Sequence, residues 1–487
     1  MAVLRAGVRP VVSVAEMREA DARAPVPVDV LVVRAGRAVS GAAVRLLGGA
    51  YGRRVAVIAG KGNNGADARA AAGFLARRGA RVTLLEAAAG GAVKGSDLVI
   101  DGAYGTGFHG SYPAPDPGGA PVLAIDIPSG VNGDTGVAAP GAVRADATVT
   151  MAALKPGLLV GEGRERAGVV EVADIGLPVG ATAAHLVGDE DLGWIPSRPL
   201  TTHKWASAVW VVAGSPGMRG APALCARAAQ RAGAGMVRLG TPGLLASEHP
   251  PGEAVAVGLP ADGWDEEVLG ELGRFKALVM GPGLGRSEAV RRAVRGLVAA
   301  ATVPTVVDAD GLNALGEAAG IAPLVAARPA GAGPVVLTPH DGEFTRLAGH
   351  PPGEDRMAAA RDLAARCGAV VLLKGSTTVV AAPDGDVLLV TAGDARLATA
   401  GTGDVLSGVI GAFLAVGISG LRAAAPLPAP CRRTRQHPGK EVGQVARHQS
   451  HGRAEPGGAP VHVRAEGGGP ETRDPDGEEG ADDPRED

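Results

Sequence analysis

Thr399-Ala400-Gly401-Thr402-Gly403-Asp404 runs directly into the apolar stretch Val405-Leu406-Ser407-Gly408-Val409-Ile410. Two glycines bracket Thr402, and a helix is expected to start behind them. Such a start presents unpaired backbone N–H groups and the positive end of a helix dipole, a ready site for an anion. Asp404 adds a carboxylate there, placed to take a proton from a hydroxyl being phosphorylated. The chemistry these residues suit is phosphoryl transfer beside a bound nucleotide.

Other polar loops follow apolar runs in both halves. Early in the chain they are Gly60-Lys61-Gly62-Asn63-Asn64-Gly65-Ala66-Asp67, then Asp101 with Gly105-Thr106-Gly107-Phe108-His109-Gly110, then Asp126-Ile127-Pro128-Ser129-Gly130. Ligands of open parallel sheets bind at the carboxyl ends of strands. Asn64, Asp101 and Ser129 could share a hard cation through oxygen, and Asp126 or Asp67 could move protons. Each loop alone also reads as a capped turn. Later loops are Gly214–Ala221, Gly281–Gly285, Asp308–Asn313, Thr338–Glu343 and Lys374–Thr378. Taken singly, His340 reads as a helix-start polar residue and Lys374 as a solvated strand end. Together with Gly401–Asp404 they are too many to be turns alone.

The elements positioning these loops are short apolar runs. Arg54–Ala59 reads as a buried strand followed by a helix from about Asp67 to Arg78, with further strands near 82–85, 97–100, 122–125 and 147–151. After a Gly- and Pro-rich stretch, strands recur at 208–213, 236–239, 277–280, 304–307, 335–337, 370–373 and 378–381. Strands alternating with helices favour an α/β class with mostly parallel sheets covered on both faces. The expected division is residues 1–186, 187–420 and 421–487. Beyond Gly420 the chain has no Phe, Tyr, Trp, Ile or Met. Such a segment cannot offset its ordering entropy, so 421–487 is expected to be a disordered tail or the product of a frameshift.

Composition narrows the function. Aromatics are 2% of the 487 residues, so the cores must be built from Val, Leu and Ala. A net charge of −3 argues against nucleic acid held on a basic face. Cys225, Cys367 and Cys431 are too far apart for a disulfide framework or a CxxC metal site, which suits a reducing compartment. Neither a signal peptide nor a membrane span is evident, so a cytoplasmic location is expected. The oligomeric state is open, a homo-oligomer included.

NNGAD, DGAYGTGFHG and AIDIPSGVNGDTG, with MREAD and RAG upstream, resemble the NAD(P)H-hydrate epimerase domain, the YjeF N-terminal family. The resemblance implies a Rossmann-like domain in which Asn63, Asn64, Gly65, Ala66 and Asp67, with Gly105, Thr106, Gly107, Phe108, His109, Gly110 and Ser111, hold the hydrated nicotinamide nucleotide. It implies K⁺ on Asn64, Asp101 and Ser129, and Asp126 against the substrate. Ala66 and Ala68 stand where the family has glycine; a methyl group obstructing backbone approach or a positive φ there would weaken this half. From His203 to Gly417 the loop order resembles the ADP- or ATP-dependent NAD(P)H-hydrate dehydratase, a ribokinase-like domain. That resemblance implies that Lys374, Gly375, Ser376, Thr377, Thr378 and Gly403 hold the adenine nucleotide with Mg²⁺. Ala221, Gly283, His340 and Asp404 would contact the hydrate, and Asp404 would be the catalytic proton acceptor. Trp205, where the family has glycine, would sit near the entry of this site. The rival readings are a ribokinase-like kinase of a vitamin precursor or sugar, and a catalytically weakened nucleotide-binding protein.

Overall fold

The computed structural model describes residues 9–87, 91, 93–249, 252–393 and 395–425. Among these residues the chain forms two sheets. Strand β1 (Arg9–Val11) precedes helices α1 (Val14–Ala22) and α2 (Val28–Leu47). Ser13 and Glu16 close a capping box at the start of α1, satisfying two otherwise unpaired N–H groups. Then come β2 (Arg54–Ala59), α3 (Asn63–Arg77), β3 (Arg81–Glu86), β4 (Leu98–Gly102), β5 (Val122–Ile125), β6 (Ala147–Met151), α4 (Gly161–Arg166) and β7 (Val169–Ala173). The first sheet has the order β3-β2-β4-β5-β6-β7, parallel throughout. Every residue of β4 and β5 is buried, which is why both read as unbroken apolar runs rather than alternating ones.

The second unit continues with β8 (Ala184–Leu186), β9 (Ala208–Val212), α5 (Gly220–Arg231), β10 (Met236–Pro242), β11 (Val255–Leu259), α6 (Trp264–Leu272), β12 (Ala277–Met280), α7 (Glu288–Ala300) and β13 (Thr305–Val307). Helices α8 (Asp310–Leu315) and α9 (Ala318–Ala326), β14 (Val335–Leu337), α10 (Asp341–Ala348), α11 (Arg356–Cys367) and β15 (Val370–Leu373) follow. It closes with β16 (Thr378–Ala381), β17 (Val387–Val390), α12 (Thr402–Ala415) and α13 (Gly420–Ala423). The sheet order is β1-β8-β17-β16-β15-β14-β13-β12-β9-β10-β11. Its centre and one flank, β11 through β15, are parallel, while β16 runs antiparallel to both β15 and β17. The two α/β units are the Rossmann-like and ribokinase-like halves expected.

Several local expectations need correcting. Helix α3 begins at Asn63, not near Asp67, because Gly62 caps it in an extended conformation, so both asparagines stand in its first turn. Ala184–Leu186 was expected in the first unit, yet it pairs with β17, and β1 pairs in turn with it. The second sheet therefore borrows its edge from residues at both ends of the first unit. Residues 421–425 were expected to fall in the tail, but Ala423, Ala424 and Ala425 are buried in the second unit's core. The rest of that tail, 426–487, lies outside the described residues. On α12, Ile410 and Leu414 are buried, whereas Val405 is exposed and Val409 and Phe413 are half-buried.

Candidate active site

Strands β2, β4 and β5 end at one edge of the first sheet, and their loops meet there. The Asn64 carboxamide donates to the carbonyls of Tyr104 (2.9 Å) and Ile125 (2.8 Å), tying three strand ends together. Asp101 is fully buried; it accepts from the Ser129 amide (2.8 Å) and hydroxyl (2.7 Å). Burial pushes its carboxyl above the ordinary carboxylate range, and the Ser129 hydrogen bonds oppose that shift. Among the described residues no basic side chain pairs with Asp101. Asn64, Asp101 and Ser129 thus stand together around one uncompensated carboxylate. Gly105 opens its loop against the Asn64 side chain, Phe108 stacks on Tyr104 at 4.9 Å, and His109, Gly110 and Ser111 are exposed.

A second group of charges lies beside this one. Asp126 holds φ +66, an uncommon backbone state for a non-glycine residue, and its carboxylate meets Lys155 Nζ at 2.5 Å. Lys155 is buried and also donates to Thr150 Oγ1 (3.0 Å) and the Met151 carbonyl (2.8 Å). The Asp67 carboxyl is pushed up to about 8, first by burial and then by the charges of Asp126 and Asp21. Burial, then Asp126, also raises Asp21, with Lys155 opposing. Asp67 and Asp21 thus lie beside the Asp126–Lys155 pair, and Asp67 can hold a proton near neutral pH. The role of Lys155 was missed from the sequence, where it reads as a lone lysine before a Pro-Gly turn. Asp21 was noted only as part of MREAD.

Ala66 and Ala68 place no strain on the backbone. Both lie in α3 with φ in the ordinary negative range, and the Ala68 methyl fills the core beside Gly102. Gly65 is the constrained position, since a Cβ there would stand 1.8 Å from the Gly60 carbonyl oxygen. Gly65→Ala is expected to cost at least the ~1–3 kcal/mol of an overpacked core site. Chemical denaturation of the full chain would detect this as a lower midpoint for unfolding of the first unit.

In the second unit, Gly401, at φ +91, caps α12, which carries Asp404 in its first turn. Lys374 Nζ donates to Asp308 at 2.7 Å, and the Ser407 hydroxyl donates to the other Asp308 oxygen at 2.7 Å. Gly403 lies over this pair; a Cβ there would be 3.5 Å from Lys374 Nζ and 3.7 Å from Asp308 Oδ2. Burial, then Asp308, raises the Asp404 carboxyl above its ordinary value, with Lys374 opposing. Asp308 ends β13 and is buried; the sequence had marked its loop without giving it a part. A Cβ on Gly283 would lie 3.6 Å from that of Ala221, so their two loops touch. His340 caps α10, its Nδ1 accepting from the Gly342 and Glu343 amides, while its ring remains mostly exposed. The Lys374 amide bonds the Pro339 carbonyl, joining the His340 and Lys374 loops. Gly375 and Ser376 are exposed, and Thr377 is buried. Trp205, expected near the entry of this site, lies at the opposite, amino-terminal edge of the sheet. It precedes β9 and packs on Phe275 at 5.7 Å and the Arg274 guanidinium at 4.3 Å.

Two α/β units, each with polar loops gathered at the carboxyl ends of its strands, define a two-site enzyme of the nucleotide-handling α/β class. Comparison with known proteins sharpens this. Residues 209–429 match the family described as NAD(P)H-hydrate dehydratase, and residues 28–92 and 85–157 match the YjeF-related protein N-terminus. A bifunctional NAD(P)H-hydrate repair enzyme of Mycobacterium tuberculosis is 41% identical over 408 residues, covering 78% of this chain and 82% of that one. The enzyme of the same description from Escherichia coli is 35% identical, covering 81% and 82%. An ADP/ATP-dependent NAD(P)H-hydrate dehydratase from Bacillus subtilis, co-crystallised with ATP and Mg²⁺, is 35% identical over 47% of this chain and 80% of its own, with a TM-score of 0.40. The chain belongs to the bifunctional NAD(P)H-hydrate repair enzymes, with an epimerase half followed by a dehydratase half. Among the described residues, no helix is long and apolar enough to cross a membrane.

Proposed function

We propose that the chain returns both epimers of hydrated NADH and NADPH to the working cofactor. The first site interconverts R and S hydrates, and the second dehydrates the S form at the expense of ADP or ATP supplied with Mg²⁺. The observation that carries this reading is Asp404, with a raised pKa, in the first turn of α12 beside Lys374 and Asp308.

In the second site Ala221, Gly283, His340 and Asp404 hold the hydrate, and Lys374–Thr378 with Gly403 hold the nucleotide. Asp404 takes the proton from the C6 hydroxyl while its oxygen attacks the terminal phosphoryl group. The α12 N-terminus and Lys374 stabilise the charge that develops. The P–O bond to the nucleotide breaks, releasing AMP from ADP or ADP from ATP. Phosphate then leaves C6 and a proton leaves C5, restoring the ring double bond. AMP or ADP, phosphate and NADH should therefore appear in equal amounts. A phosphoester accumulating in place of NADH would favour the kinase reading.

In the first site Asn63–Asp67 and Gly105–Ser111 hold the hydrate, with Asp126 against it. Asn64, Asp101 and Ser129 suit a monovalent cation, because they offer oxygen donors and a single buried carboxylate. K⁺ bound there would neutralise Asp101 and help fix the substrate. Asp67, protonated at neutral pH, donates to the C6 hydroxyl as it departs, and Asp126, paired with Lys155, accepts a proton when water returns to the other face. Free, buried Cys225 and Cys367 suit the cytoplasm, where this cofactor pool is used.

The protonation of Asp67 sets a pH dependence. Its folded pKa of about 8 lies above its ordinary 3.8, so the folded state holds this proton more tightly. Any stability lost by ionising Asp67 is absent below 3.8, grows between the two values and is constant above about 8. R/S interconversion should fall as pH rises through about 8, and Asp67→Asn should abolish that limb along with most of the activity. A profile flat across this range would remove Asp67 as the acid.

A further inference from the structure

We propose that Arg164, which belongs to the epimerase half, is a positioning residue for the dehydratase half. Its guanidinium clamps the Lys374–Thr378 loop, assigned above to the nucleotide, to the segment after β17 that leads toward Gly401–Asp404. Arg164 stands on α4, after the turn Pro156–Leu158 that follows β6. Its Nη1 donates to the Ser376 carbonyl and, at 3.2 Å, to the Thr377 hydroxyl. Its Nη2 donates to the Thr391 carbonyl at 2.7 Å, with the Gly393 carbonyl at 3.4 Å. Ser376 and Thr377 belong to the Lys374–Thr378 loop; Thr391 and Gly393 follow β17 and open the connection to Gly401–Asp404. One side chain from the first unit therefore ties both segments together.

Three further observations give the contact a role beyond packing. The Thr377 hydroxyl donates to the Leu159 carbonyl, so the nucleotide loop is held from the first unit at two points. Behind this contact, Leu158, Leu159, Val160 and Ala167 share one continuous core with Val379, Ala381, Val387 and Leu389, so α4 cannot drift from the loops without opening buried apolar surface. Among the described residues Arg164 bonds carbonyl and hydroxyl oxygens and forms no ion pair, which leaves its positive charge at the edge of a site for a polyphosphate. The planar fork of a guanidinium can reach both segments at once, and an ammonium cannot reproduce that geometry. The affinity of the second site for nucleotide then depends on the presence and placement of the first unit.

The inference rests on the assignment of the Lys374–Thr378 loop to the nucleotide, so wild type and variants are compared in the full chain. Steady-state dehydration of the S hydrate would be measured against ADP and ATP concentration for wild type, Arg164→Lys and Arg164→Gln, with R/S interconversion measured without nucleotide. Both variants should raise the nucleotide KM by about tenfold, with kcat at saturating nucleotide within about twofold of wild type. The KM for the hydrate and the R/S interconversion rate should not move. A wild-type nucleotide KM in either variant overturns the proposal. So does a variant that loses R/S interconversion and dehydration in equal proportion, because that pattern marks general unfolding. A wild-type chain that binds neither ADP nor ATP would instead overturn the underlying reading of the loop.

Discussion

Asp404→Asn is expected to lower kcat for dehydration of the S hydrate by about 10²–10⁴-fold while R/S interconversion continues at the wild-type rate. Asparagine keeps the shape of the side chain in the first turn of α12 but cannot accept the hydroxyl proton. The fold should not suffer. The raised pKa means that the ionised carboxylate is disfavoured by burial and by Asp308, with only Lys374 opposing. The folded state therefore binds this proton more tightly than the unfolded chain, and the strain of ionisation appears as pH rises past the ordinary value. Removing the charge should leave the unfolding midpoint at neutral pH equal or slightly higher. Initial rates of NADH regeneration would measure the first effect and denaturant titration the second. An Asn variant that dehydrates at the wild-type rate would end the proton-acceptor role.

Lys155→Met is expected to destabilise the first unit strongly. The ammonium is buried and serves three acceptors, and Asp126 is its ion-pair partner at 2.5 Å. Removing one member of a buried pair strands the other, which typically costs about 3–5 kcal/mol. Here the stranded carboxylate would also face Asp67 and Asp21, whose proton affinities Asp126 already raises after burial. R/S interconversion should be lost with the stability. The double variant Lys155→Met/Asp126→Asn should recover much of the stability and none of the activity, which separates the structural contribution of the pair from its chemical one. Two units need not unfold in one step, so the transition that carries the loss of R/S interconversion is the relevant readout.

What the sequence made legible follows from how local each signal is. Strands β4, β5, β12, β14 and β15 stood out because buried parallel strands are unbroken apolar runs. The loops holding Asp101, Ser129, Lys374 and Asp404 stood out because polar residues directly follow those runs. β17, Val-Leu-Leu-Val, is as apolar and as long as β15 and follows the turn Asp384–Asp386, yet it was missed. The pairing of Val11 with Ala184 and of Val387 with Ala184 depends on segments far apart in the chain, so the edge of the second sheet could not be read locally. Trp205 was misplaced for a related reason: proximity to β9 in sequence does not say which end of the strand a residue serves. Lys155 carries no local mark of burial, and the Arg164 contact spans 212 residues. Asp308 was visible as a strand-end residue, but its partners Lys374 and Ser407 come from distant elements.

If two sites on one chain repair both epimers, the absorbance of NADH must return from either hydrate. Purified full-length protein would be given S-hydrated NADH, and separately R-hydrated NADH, with Mg²⁺ and either ADP or ATP. Full recovery is expected from both epimers, with recovery from the R form abolished by Lys155→Met and recovery from either form slowed about 10²–10⁴-fold by Asp404→Asn. No recovery from the S form with either nucleotide would contradict two-site repair.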